Sequence, residues 1–109
     1  MNYCCFLGNL TKDPELRNTQ AGVSVTNFTL AVRGYQDRTD FIKCTAWRGV
    51  AESLCKYMKS GDRICVVGRL ESTKYEKDGN TVYGMEVVCE SIEFCTARKA
   101  PKLDAELPM

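Results

Sequence analysis

Residues 40–61 read DFIKCTAWRGVAESLCKYMKSG, and two periodicities meet inside them. From residue 40 to 48 the pattern alternates, as in a strand whose side chains point to opposite faces in turn. Ile42, Cys44 and Ala46 make one face wholly apolar, so that face is expected to meet the core. Phe41, Lys43, Thr45 and Trp47 occupy the other face and cannot reach the same core. From residue 50 to 59 the spacing changes. Val50, Ala51, Leu54, Tyr57 and Met58 fall at i, i+1, i+4, i+7 and i+8, one stripe of an amphipathic helix. Glu52 in its first turn and Lys56 and Lys59 near its end suit the helix dipole. Gly61 is placed to cap it. No other segment of the sequence makes a convincing helix.

Outward from this stretch, every other patterned segment reads as extended. Residues 3–10 (YCCFLGNL) form a short apolar strand, closed by Thr11-Lys12-Asp13-Pro14. A second extended piece at 15–18 leads to a turn at Gln20-Ala21-Gly22. Residues 23–33 make a long strand in which Phe28, Leu30 and Val32 alternate with Asn27, Thr29 and Ala31. A polar loop, 34–38, carries one aromatic, Tyr35. After the helix, residues 63–75 form a fourth strand, where Gly68 suggests a bulge or tight bend. Lys77-Asp78-Gly79-Asn80 contains the Asp-Gly signal of a hairpin, and residues 81–95 form the fifth strand. Five strands with one helix between the third and fourth is the element order of an OB-fold, a five-stranded Greek-key barrel, although other small antiparallel folds stay open on this pattern alone. The all-β barrel is expected to occupy residues 1–96, with 97–109 as a short exposed tail.

The composition bounds the chemistry. The chain has 109 residues, room for one core, and a formal net charge of +1. It contains no histidine. That removes His-based acid/base catalysis, Ser-His and Cys-His nucleophile pairs and His-ligated zinc. No nucleophile motif, P-loop or paired metal-ligand spacing appears, so no enzyme, cofactor or metal is expected. The seven cysteines (4, 5, 44, 55, 65, 89 and 95) contain no CxxC. Those at 44, 65 and 89 lie among apolar residues, where a free thiol behaves as a small hydrophobe, so reduced and mostly buried thiols are expected. Met1 leads straight into a patterned segment, so no signal peptide is expected, and no apolar run approaches a membrane span. A cytoplasmic location follows as the expectation.

The net charge conceals an uneven distribution. Residues 33–77 hold ten Lys/Arg against six acids, and residues 103–109 hold two acids and no base. Two readings of the outer face of strand 40–48 stand at this point. A loop, the helix or a second subunit could cover Phe41 and Trp47. Alternatively they form a platform on which bases stack, with Lys43 for phosphate. The lysine between two aromatics favours the platform, because an unpaired ammonium is costly to bury. Tyr35 near Arg33 and Arg38, and Tyr75 beside Lys74 and Lys77, repeat the pairing of an aromatic with bases.

Several blocks resemble the bacterial and phage single-stranded DNA-binding proteins. They are Leu7-Gly8-Asn9-Leu10-Thr11-Lys12-Asp13-Pro14-Glu15-Leu16-Arg17, Phe28-Thr29-Leu30-Ala31-Val32, Asp40-Phe41-Ile42, Trp47, Ala51-Glu52, Tyr57 with Lys59 and Gly61, and Val67-Gly68-Arg69-Leu70. The resemblance implies sequence-independent binding and protection of single-stranded DNA in replication, recombination and repair. It implies base stacking on Tyr35, Phe41, Trp47 and Tyr75, with Arg33, Lys43, Arg48, Arg69 and Lys74 as backbone contacts. It implies a homotetramer whose dimers pair first strands through Tyr3, Cys4, Cys5, Phe6 and Leu7. It further implies a tail tip at Asp104, Glu106, Leu107, Pro108 and Met109 that docks replication and repair proteins. Two other functions fit the same barrel: a protein-interaction module that recruits replication or recombination proteins, and an RNA-binding OB-fold.

Overall fold

The computed structural model describes residues 1–96; the tail tip expected at 103–109 lies outside the described residues. The strands are β1 (Cys4–Leu10), β2 (Arg17–Asn18), β3 (Ser24–Arg33), β4 (Thr39–Trp47), β5 (Arg63–Lys77) and β6 (Asn80–Phe94). One α-helix, α1 (Arg48–Tyr57), joins β4 to β5. The strand order is β1-β5-β6-β4-β3-β2, and β1 also pairs with β3 through Asn9↔Ala31 and Leu10↔Leu30. The five long strands therefore close into a ring, the barrel that the element order predicts. β2, the sixth strand, is the extended piece at 15–18 shortened to two residues paired with β3.

The ring encloses one core. Leu10, Phe28, Leu30, Cys44, Ala46, Ile64, Val66, Val87 and Cys89 fill it from the strands. Ala51, Leu54 and Met58 plug one end from α1 and the residue after it. Fully burying a Leu, Ile or Val side chain stabilises a fold by roughly 1.5–3 kcal/mol, so this set dominates the stability. Thr26, wholly buried on β3, has a hydroxyl without a hydrogen-bond partner among the described residues.

Several local expectations shift. The helix starts and ends two residues earlier than its stripe suggests. Trp47 is both the last residue of β4 and the helix N-cap, and Arg48 takes φ 57, which turns the chain from strand to helix without a loop. Arg48 is thus not a strand residue, and Glu52 lies beyond the first turn, where its carboxylate accepts from the Ser24 hydroxyl at 2.7 Å. At the other end Met58 is extended, which drops its side chain into the core. Lys59 therefore lies outside the helix. Gly61, at φ 89, serves a separate turn in which the Lys59 N–H donates to the Asp62 carboxylate at 2.7 Å.

The hairpin at 77–80 forms as expected, with positive φ at Asp78 and Gly79. So does the bulge at Gly68. Val67 pairs with Ser91 but Gly68 pairs with Cys89, so Glu90 is the extra residue on the partner strand. A Cβ on Gly68 would lie 2.0 Å from the Val88 carbonyl oxygen, so only glycine allows this approach. The bulge reverses the alternation of β6. Even-numbered residues point outward up to Val88, and odd-numbered ones from Ser91 onward. No helix among the described residues is long and apolar enough to cross a membrane.

Candidate nucleic-acid interface

The outer face of β4 is built by its neighbours as much as by its own residues. Phe41 is paired with Ala31, and Lys43 with Thr29. Both partners are short, so neither covers the side chain opposite. Phe41 is accordingly 65% exposed, and Lys43 is exposed beside it. Trp47, at the helix corner, keeps 40% of its surface in solvent. Among the described residues neither a loop nor the helix covers this face. From Phe41 to Trp47 a strand advances roughly 20 Å at about 3.4 Å per residue, room for several nucleotides.

Thr45 departs from the expected pattern. It lies on the same face but is buried. The Asn27 amide donates to its hydroxyl at 2.8 Å, and the hydroxyl donates to the Glu86 carboxylate at 3.0 Å. The Arg17 guanidinium donates to the Asn27 side-chain oxygen. This polar chain ties β2, β3, β4 and β6 together between Lys43 and Trp47.

Glu86 also orients the long hairpin. It shares the outer face with Thr45 and pairs with Glu71. Tyr75 follows Glu71 by four residues, so it lies on that face too, and it is exposed. Lys74 does not. It pairs with Tyr83 on the opposite face of the β5–β6 ribbon, while Lys77 shares the side of Tyr75. Tyr35 stands at the far end of the β3–β4 hairpin in a 3-10 turn (Tyr35–Asp37) and is largely exposed. The Gly34 N–H donates to the Arg38 carbonyl at 2.6 Å and pinches that loop shut.

The cations divide into two sets. Arg69 donates to Glu71 at 2.9 Å and to Glu90 at 3.3 Å, and the Glu71 bond leads in pushing its already high pKa further up. Arg38 is paired with Asp40 at 2.9 Å. Arg33, Lys43, Arg48 and Lys74 have no ion-pair partner among the described residues. Arg69 is thus placed on the outer face but occupied by carboxylates.

Two bases emerge only in three dimensions. An open cleft of about 280 Å³ is lined by Lys12, Asn27, Thr29, Lys43 and Glu86 among others, which sets Lys12 beside Lys43. A second cleft of about 360 Å³ brings Arg63 together with Arg33 and with Ala31, the partner of Phe41. Phe41 therefore has two bases on either side, Lys12 and Lys43 on one and Arg33 and Arg63 on the other, none of them in an ion pair among the described residues. Lys12 lies in a segment legible only as a turn, and Arg63 at the first position of a strand, so neither carried a local signal. Arg48 and Trp47 line a third cleft, of about 760 Å³, against Ser91, Ile92 and Phe94.

The five residues expected at an oligomer interface split by alternation. Tyr3, Cys5 and Leu7 point outward and are exposed, whereas Cys4 and Phe6 pack against the core. From Cys4 to Gly8, β1 pairs only with β5, and its other edge is open until Asn9 meets β3. Such an edge presents unpaired N–H and C=O groups to a further strand. Among the described residues no group of three or more His, Cys, Asp or Glu side chains is arranged to hold a metal ion.

Residues 1–95 match the profile of the single-strand binding protein family. Single-stranded DNA-binding protein 3 of Listeria innocua is 44% identical over 107 residues, which cover 91% of this chain and 66% of that protein. The single-stranded DNA-binding protein of Bacillus cereus is 45% identical over 105 residues, 90% of this chain and 62% of its own length. That of Enterococcus faecalis is 41% identical over 107 residues, 92% of this chain and 57% of its own length. The chain thus spans roughly three fifths of the length of the relatives it matches.

Proposed function

The chain belongs to the single-strand binding protein family, and from that premise we propose that it binds single-stranded DNA without regard to sequence and catalyses no reaction. The observation that carries the proposal is the uncovered outer face of β4, where Phe41, Lys43 and Trp47 follow one another with short residues opposite. Every base has a π-face, so stacking on Phe41, Trp47 and Tyr75 is tolerant of sequence. Lys43, Lys12, Arg33 and Arg63 take phosphates alongside Phe41. Tyr35 and Arg48 extend the path at its two ends, and Lys74 and Arg69 contribute less directly. Binding of this kind shields exposed single strands during replication, recombination and repair, in the cytoplasm.

Self-association belongs to the same proposal. The open edge of β1 at Cys4–Gly8 suits pairing with the same strand of a second copy, the first step towards a tetramer. The tail tip at residues 104 and 106–109 is proposed to recruit replication and repair proteins.

Titration with oligo-dT, read by Trp47 fluorescence, tests the binding. Quenching that saturates, and that duplex DNA fails to displace, is the expected result. Tighter binding of duplex than of oligo-dT refutes the proposal. Stronger competition by oligo-rU than by oligo-dT assigns the platform to RNA instead.

A further inference from the structure

The platform does not end against a wall. Trp47 and Arg48, at the end of β4, also line the cleft of about 760 Å³ between α1 and the last residues of β6. One side of this groove is the α1 ridge on which Gly49, Ser53 and Tyr57 fall at i, i+4 and i+8. Gly49 and Ser53 are small, so the cleft stays open along the helix. The other side is Ile92 and Phe94, on the face of β6 turned towards α1. At the far end Tyr57 meets Phe94, with ring centroids 6.3 Å apart and planes tilted by 51°. Both rings remain open to solvent, Tyr57 at 54% and Phe94 at 38% exposure.

The charges along the groove suit a polyanion. Arg48 at its entrance and Lys56 at its far end are in no ion pair among the described residues. The Lys56 ammonium lies 5.4 Å over the Tyr57 ring, a weak contact at an exposed site. An aromatic with a base beside it thus recurs here, as at Phe41 and Lys43. The one carboxylate lining the cleft, Glu90, accepts from Arg69 at 3.3 Å, which offsets its charge. In the strand order β5 lies between β1 and β6. A second copy paired on the open edge of β1 joins on the side away from β5, and leaves the groove open.

We propose that a single strand bound on the β4 face continues past Trp47 into this groove, where its bases stack on Phe94 and Tyr57 and its phosphates meet Arg48 and Lys56. The extension rests on the reading of the β4 face as a single-strand platform. Stacking needs only a π-face, so the groove is as tolerant of sequence as the platform. Lys56 swings from the ring to a phosphate, which uncovers the face of Tyr57 for a base. The ten residues of α1 advance about 15 Å, at about 1.5 Å per residue, so the groove adds room for further nucleotides. Tyr57 and Phe94 therefore contribute only to strands long enough to reach them.

Titration of the full chain against oligo-dT of graded length, read by the anisotropy of a terminal dye, provides the test. The shortest oligomers, which fill the β4 face alone, are expected to bind Tyr57→Ala and the unsubstituted chain equally. Above a threshold length the variant is expected to bind about 5-fold or more weakly, the loss of one stacked base. Equal affinity of the two chains at every length overturns the extension. So does an equal loss at every length, which means that Tyr57 acts through the fold. If the unsubstituted chain binds no oligo-dT of any length, the platform reading fails and the extension with it. Photo-cross-linking of the unsubstituted chain to long oligomers, with iodouracil at successive positions, decides the matter even if the variant unfolds. Adducts on Tyr57 or Phe94 are expected, and adducts confined to Phe41, Trp47 and Tyr75 overturn the extension.

Discussion

Phe41→Ala separates binding from folding more cleanly than any other change on the platform, because it leaves the Trp47 reporter in place. The ring is 65% exposed, so about a third of its surface is buried. Fully buried aromatics remove 150–250 Å² from water, so this ring buries roughly 50–90 Å². At about 25 cal/mol per Å² the stability loss is roughly 1–2 kcal/mol at most, an upper figure because denatured chains are themselves partly compact. A typical domain has about 5–15 kcal/mol, so the variant remains folded. Its binding loss is set by one stacked base, roughly 1–3 kcal/mol, or about 5- to 150-fold in Kd. Tyr83→Ala is the matched control. Tyr83 is 73% exposed, more than Phe41, yet it faces the other side of the β5–β6 ribbon. Oligo-dT titrations of both variants, read by Trp47 quenching, are expected to show the loss for Phe41→Ala alone. Equal losses would mean that general surface aromaticity, not one face of the sheet, carries binding. No loss for a folded Phe41→Ala would remove the platform altogether.

Affinity for oligo-dT is expected to fall as salt rises, with a log–log slope near −0.7 per phosphate neutralised, or roughly −3 for four bases. Lys43→Gln should flatten that slope by about 0.7 in titrations at several salt concentrations. Arg48→Gly should raise the urea midpoint while weakening DNA binding. It removes a left-handed residue at φ 57, a conformation that costs roughly 1–2 kcal/mol outside glycine, together with a cation beside Trp47. Thr26→Val should stabilise the fold by about 1 kcal/mol in urea unfolding, because the hydroxyl it removes is buried without a partner among the described residues. Stability should also decline above about pH 9. The Cys44 thiol is held protonated in the fold, by Cys89 and by burial, while the unfolded chain ionises it near its ordinary value of 9.0. Its contribution is complete below that pH, and above it the loss is about 1.4 kcal/mol per pH unit, measurable by urea titration in alkaline buffers.

Much of the barrel was legible because its signals are local. Alternation marked Ile42, Cys44 and Ala46 for the core, Asp78-Gly79 marked the hairpin, and Gly68 marked the bulge. The helix limits were less legible, since the left-handed turn at Arg48 and the extended Met58 answer to packing rather than to the stripe. At the platform, Phe41, Lys43 and Trp47 were legible as one face. Which cations lie beside them was not. Lys12 is 31 residues from Lys43 in the chain and meets it only because the ring closes. Arg69 and Lys74 looked equivalent to the other bases, yet Glu71 and Glu90 occupy the first and the register of β5 turns the second away.

The sequence by itself determined the order of elements, the inward and outward sets of each strand, and the absence of histidine chemistry. These follow from backbone sterics and from composition, which need no partner. Tertiary structure alone decided which outward residues stay uncovered and which cations remain unpaired. Each of these depends on strand register, and register is set by the simultaneous closure of the whole barrel rather than by any one segment.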